Sequence, residues 1–165
     1  MKIFLIAAGI VAGLILLVIL IGALLPRQHS ATRSAFIKAS PEKVFELISG
    51  PQDWRADLKN YAVVDQEGKH LVRETDKNGQ TITYERVQFD PPTLLQNVIA
   101  DKNLPFGGGW TWRVQEQNGG CRVTITEDGE VYNPLFRFVS RFVIGHTRTL
   151  DNYLTQLAQV AESRR

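Results

Sequence analysis

Residues Ile3 to Leu25 are 23 consecutive side chains without a charge. A helix of that length rises about 35 Å at about 1.5 Å per residue, enough to cross a hydrocarbon core of about 30 Å. In lipid every backbone amide has to be satisfied within the segment, and a helix does this unaided. The run ends at Pro26-Arg27, and the stretch Gln28 to Ser34 is polar. The chain therefore divides into a single-pass membrane anchor (residues 1–26), a linker (27–31) and a domain (32–163). The polar residues Arg27 to Arg33 reach at most roughly 25 Å, so the domain is expected to work within touching distance of the bilayer.

A cleaved signal peptide fits less well. The run exceeds the about 7–15 apolar residues of a signal core, and His29-Ser30-Ala31 is a poor cleavage site. Orientation stays open. Arg27, Arg33 and Lys38 slightly outweigh Lys2 and the terminal amine, which favours a cytoplasmic domain, but the short N-terminal tail nearly cancels that count. Gly9 and Gly13 form a GxxxG that would let two anchors pack as a weak homodimer, although glycine is common in membrane helices anyway.

The domain is long enough for one real core and too short for two. The chain's net charge of +2 comes from interspersed acids and bases, with no basic block or stripe, so nucleic acid is not an expected partner. Cys121 is the sole cysteine, lies beside a turn, and reads as a packed thiol. His29, His70 and His146 lack ligand-like spacing, so no metal site is expected. Gly107-Gly108-Gly109 leads into a strand and not a helix, so it cannot cradle a phosphate. It reads instead as a bend or a mobile loop at a cavity mouth. No cofactor is implied.

Residues 32–38 read as a strand. Ser40-Pro41-Glu42 then opens a helix, with Ser40 as N-cap and Pro41 in the first turn, and Gly50-Pro51 closes it. Trp54 and Leu58 suggest a short helical turn. From Asn60 the period changes to strands: Tyr61 to Asp65, His70 to Thr75, Thr81 to Phe89, Leu94 to Ala100, Trp110 to Gln115 and Arg122 to Glu127. Glu67-Gly68, Asn78-Gly79 and Asn118-Gly119-Gly120 turn them, and Asp90-Pro91-Pro92 interrupts them. Asn133-Pro134 opens a long helix, expected to reach Ser163, with Gly145 as its weak point.

Strand, helix, short turn, antiparallel meander and long C-terminal helix make an α+β order that resembles the helix-grip fold of the START-like superfamily, which includes polyketide cyclases. Ile37-Lys-Ala-Ser-Pro-Glu-Lys-Val-Phe45 is similar to its opening strand and helix, and Trp54 stands where a tryptophan is frequent. Phe106-Gly-Gly-Gly-Trp110, Val123 to Gly129 and Asn133-Pro134 resemble its last hairpin and the start of its long helix. The resemblance implies a curved antiparallel sheet wrapped around the C-terminal helix, with a cavity between them.

In such a cavity, Tyr84, Arg86, Trp110, Trp112, Phe138, Phe142 and His146 are the candidate ligand contacts. The same side chains would equally fill a solid core, and for Ile82, Tyr84 and Arg86 the inward face is undecided because Val87 and Phe89 compete. His146, Arg86 and Glu127 are the groups to examine for acid-base work. Leu135 to Ile144 is apolar on more than one face, with Arg137 and Arg141 on the remaining side. That predicts a cavity mouth, shared with the Phe106–Gly109 loop, which faces the bilayer with its arginines near headgroups. Burial of this segment under that loop and the linker is the competing expectation. Three functions remain: a tethered module that binds or transfers a lipid-like or other apolar small molecule, a cyclase or dehydratase acting on an apolar substrate, and a tethered adaptor with a filled core.

Overall fold

The computed structural model describes residues 1–66, 68–145 and 147–163. Helix α1 (Lys2–Leu24) carries the apolar run and leaves its most apolar stretch exposed on all sides. By length and composition it is able to cross a membrane; a signal sequence passes the same test.

Seven strands follow: β1 (Gln28–Ile37), β2 (Leu58–Gln66), β3 (Lys69–Asp76), β4 (Thr81–Asp90), β5 (Leu94–Ile99), β6 (Phe106–Gln117) and β7 (Gly120–Val131). They form one antiparallel sheet in the order β1-β7-β6-β5-β4-β3-β2. The meander is local, and β1 closes it by pairing with β7 along its whole length. The turn before Gly68 involves Glu67, which lies outside the described residues.

Two boundaries differ from expectation. Strand β1 begins at Gln28, opposite Glu130, so residues 28–31 belong to the sheet and are not a linker. The carbonyl of Arg27 already accepts from Val131 N at 2.8 Å. Polar composition suggested a linker, but an edge strand has one solvated side and tolerates Gln28, Ser30 and Thr32 there. Likewise Phe106 to Gly109 is not a loop: it pairs with Asp128 to Val131 as the start of β6.

Helix α2 (Pro41–Ser49) starts as expected, with Ser40 Oγ accepting from Lys43 N. The C-terminal helix is broken. Segment α3 (Pro134–Val139) is capped by Asn133, widens into a π-helical turn over Ser140–Ile144, and stops at Gly145 with φ 75°. Gly145 N donates to Ser140 O, five residues back, so the α-helical ladder is already lost there. Helix α4 (Arg148–Ser163) then packs across β1, β7 and α2.

Fully buried Ile37, Val44, Ile48, Val123, Ile125, Leu150 and Leu157 place the core between α4, α2 and one end of the sheet. On β4 the pairing with β5 slips between Arg86 and Gln88. At and past that bulge Val87 and Phe89 both stay exposed, and Phe89 still reaches Phe45 of α2 with ring centroids 5.5 Å apart.

Candidate functional site

On β7 every second residue points inward: Cys121, Val123 and Ile125 are buried in the core. The next on that face is Glu127, and with it the packed core ends. The same happens on β1, where Ile37 and Ala31 are buried and His29 follows. Helix α4 cannot cover this end of the sheet because the chain breaks at Gly145, before α4 begins. A cavity of about 530 Å³ fills the gap. Tyr84, Ile99 and Trp110 of the sheet form one wall, and Phe136, Val139 and Thr149 form the other.

Glu127 and His29 are the facing titratable pair, with His29 Nε2 3.6 Å from Glu127 Oε1. Burial pushes the Glu127 carboxyl up from its ordinary 4.5 to about 6. Burial also pulls the His29 imidazole below its ordinary value, and Asp128 opposes this in part. Both groups are thus drawn toward their neutral forms, as an apolar wall requires. His29 lies over Gly129, where a Cβ would sit 2.3 Å from the imidazole, so only glycine leaves room for the ring.

The residues expected at a ligand site are dispersed. Tyr84 and Trp110 line the cavity. Trp112 is buried in the core, with its edge toward a smaller chamber of about 170 Å³. Arg86 is turned to α2: its Nη2 donates to Ser49 O at 2.8 Å and its guanidinium stacks over Phe89. Phe138 and Phe142 stack on each other at 4.9 Å, and Phe142 is exposed. His146 lies outside the described residues. His29 is not among the expected ligand contacts, because its polar surroundings read as a linker; its even spacing from Ala31 and Ile37 is the signal that places it on the inner face. Asn97, Arg55 and Glu74 were also missed. Arg55 donates to both oxygens of Glu74 at 3.0 Å and to Asp57 at 2.6 Å, a set gathered from distant elements.

The α3 wall of the cavity packs against α1. Arg137 is buried, and its guanidinium donates to the Leu25 carbonyl at 2.9 Å, to that of Ala23 at 3.4 Å and to that of Tyr132 at 3.2 Å. It therefore caps the last turn of α1, where carbonyls lack helical partners and the dipole is negative. This corrects the expectation that Arg137 sits among headgroups; Arg141 is the exposed arginine of the two. Gly22 lets α1 meet the Pro134 carbonyl, where a Cβ would lie 1.9 Å away. Around this junction Leu135, Phe136, Phe142 and Val143 are exposed.

Sheet, gripping helix and cavity together define a helix-grip domain of the START-like class. Residues 28–162 match the model of the family described as polyketide cyclase / dehydrase and lipid transport, and the chain belongs to that family. Among curated proteins none matches the sequence. Similar solved structures include the Zhui aromatase/cyclase from Streptomyces sp. R1128 (15% identity, 83% of this chain, 95% of that one, TM-score 0.66). Truncated norcoclaurine synthase from Thalictrum flavum is similar over 84% of this chain and 96% of its own, at 12% identity and TM-score 0.64. A Mesorhizobium loti protein matches at 14% identity over 83% and 99%, with TM-score 0.66. At such identities the likeness is one of fold.

Proposed function

We propose that this chain is a membrane-tethered binding domain that takes a lipid-like or other apolar small molecule into the cavity between sheet and broken helix. One observation carries the reading: a largely apolar cavity of about 530 Å³ has α3 in one wall, and α3 packs against a helix able to cross a membrane. The Arg137 cap and the Gly22 contact hold that mouth at the anchor, and exposed Leu135, Phe136, Phe142 and Val143 form an apolar rim. Such a rim fits an acyl boundary better than water. A molecule leaving the bilayer would then move from one apolar surface to another.

The test is organic extraction and mass spectrometry of the full-length protein purified in an amphipathic polymer. Wild type is expected to release an apolar molecule in near-stoichiometric amount. Val139→Trp, which fills the space facing Trp110, is expected to release much less while keeping its circular dichroism. Equal recovery from both would place the molecule on α1 and overturn the reading.

A second reading, a cyclase or dehydratase on an apolar substrate, is favoured by one specific feature. Glu127 keeps its proton to about pH 6 beside His29, within an apolar cavity. A group poised there gives or takes a proton near neutral pH. Loss of turnover in Glu127→Gln with ligand binding retained would support catalysis; retained turnover would remove Glu127 from it.

A further inference from the structure

Behind the main cavity lies the smaller chamber of about 170 Å³, and Gln80, Tyr84, Trp110 and Thr149 border both. Its lining is different in kind. Asn97 and Trp112 are 4% and 5% exposed, and neither Asn97 Oδ1 nor Trp112 Nε1 has a hydrogen-bond partner. The Tyr153 hydroxyl, buried beneath them, also makes no well-formed hydrogen bond, although the Trp112 N–H lies close enough to influence it. Buried polar atoms are seldom left without partners, so the chamber is built for something that completes them.

The chemistry of that group is narrowed by its neighbours. Arg55 also lines the chamber, but its donors are taken by Glu74, Asp57 and Gln52. One guanidinium faces two carboxylates, so no cation is left over to receive an anionic headgroup. Burial pushes Glu74 upward and Arg55 partly restores it, a pair already closed on itself. A carboxylate or phosphate there would meet acidic side chains without a free partner. A hydroxyl donates once and accepts twice, so it satisfies Asn97 and the Trp112 N–H in either orientation of the amide.

We propose that this inner chamber is a recognition site for the hydroxyl end of an uncharged, otherwise apolar ligand whose body occupies the main cavity. The assignment rests on the reading of the main cavity as a binding site. It makes the inner chamber the element that rejects fatty acids and phosphate-bearing lipids.

The experiment compares a long-chain primary alcohol with the alkane and the fatty acid of the same length, added to the full-length protein in an amphipathic polymer. Binding is read from Trp110 and Trp112 fluorescence. The alcohol is expected to bind about tenfold more tightly than either of the others, the effect of one hydrogen bond to an unmatched buried group. Asn97→Leu is expected to remove that advantage and leave alkane binding unchanged. Trp112→Phe, which removes the N–H donor with part of the indole but keeps an aromatic ring, is a second variant at a different position and is expected to remove the same advantage. If all three compounds bind equally, the chamber holds water and this inference fails while the main cavity stands. If the acid binds best, the charge argument is overturned. If none binds, both readings fall.

Discussion

Replacing Glu127 by glutamine tests whether the end of the inner sheet face is a desolvated cavity wall. The ordinary carboxyl pKa is 4.5 and burial raises it to about 6 in the folded protein. Between those values the folded state holds a proton that the unfolded state has released. Stability therefore falls as pH rises from 4.5 to about 6, and the full loss persists at higher pH. At about 1.4 kcal/mol per unit the loss approaches about 2 kcal/mol. The side chain keeps 24% exposure, so screening brings it to about 1–2 kcal/mol. His29 acts in the opposite direction: its lowered pKa disfavours the folded state at acid pH, and stability returns as pH rises toward 6.5. Comparing wild type with Glu127→Gln at each pH cancels that contribution to first order. The assay is urea unfolding of the full-length protein in mild detergent between about pH 4 and 7.5, followed by fluorescence of Trp54, Trp110 and Trp112. These rings pack in or against the core and report its loss. The variant is expected to match wild type near pH 4 and to exceed it by about 1–2 kcal/mol at pH 7.5. A variant destabilised equally at every pH would refute the reasoning, because Glu127 would then be a satisfied hydrogen-bond acceptor.

Leu157→Ala truncates a fully buried α4 side chain and is expected to cost about 2–5 kcal/mol in the same unfolding assay; a cost near zero would contradict the placement of the core. Arg137→Ala leaves the α1 carbonyls without their charged donor. It is expected to cost about 1–3 kcal/mol and to speed trypsin cleavage after Arg27, and unchanged cleavage would show that the cap does not hold the junction. Cys121 is fully buried and its thiol pKa is raised by that burial, so it is expected to react with an aromatic disulfide reagent only as urea unfolds the domain, and immediate labelling would contradict its packing.

Most of the sheet was legible in the residues because its signals are local. Asn78-Gly79 and Asn118-Gly119-Gly120 mark hairpins through short-range turn geometry, and Ser40 and Asn133 mark helix starts through caps made within three residues. The site was less legible. Trp110 sits on an alternating aromatic face and Tyr84 on one whose direction alternation leaves undecided, and both line the cavity. Phe138 and Phe142 were named from a helical stripe that a continuous helix would have carried inward. The π-helical turn and the stop at Gly145 part this segment from α4, so the stripe does not run on into the helix that packs on β1 and β7. Arg86 shares an alternating face with Tyr84, yet the bulge beside it hands its guanidinium to the Ser49 carbonyl.

By itself the sequence determined what depends on neighbours along the chain: an apolar helix long enough for a bilayer, an antiparallel meander, and the residues able to cap and turn it. The tertiary structure alone decided where the core stops and the cavity begins. That boundary depends on how far α4 reaches over the sheet, and so on one break between two helices. It also decided the roles of long side chains. Arg137 caps α1 from more than a hundred residues away, and Arg55 closes on Glu74. A hydrogen bond between distant segments leaves no period in the sequence, because its partner is chosen by folding and not by spacing.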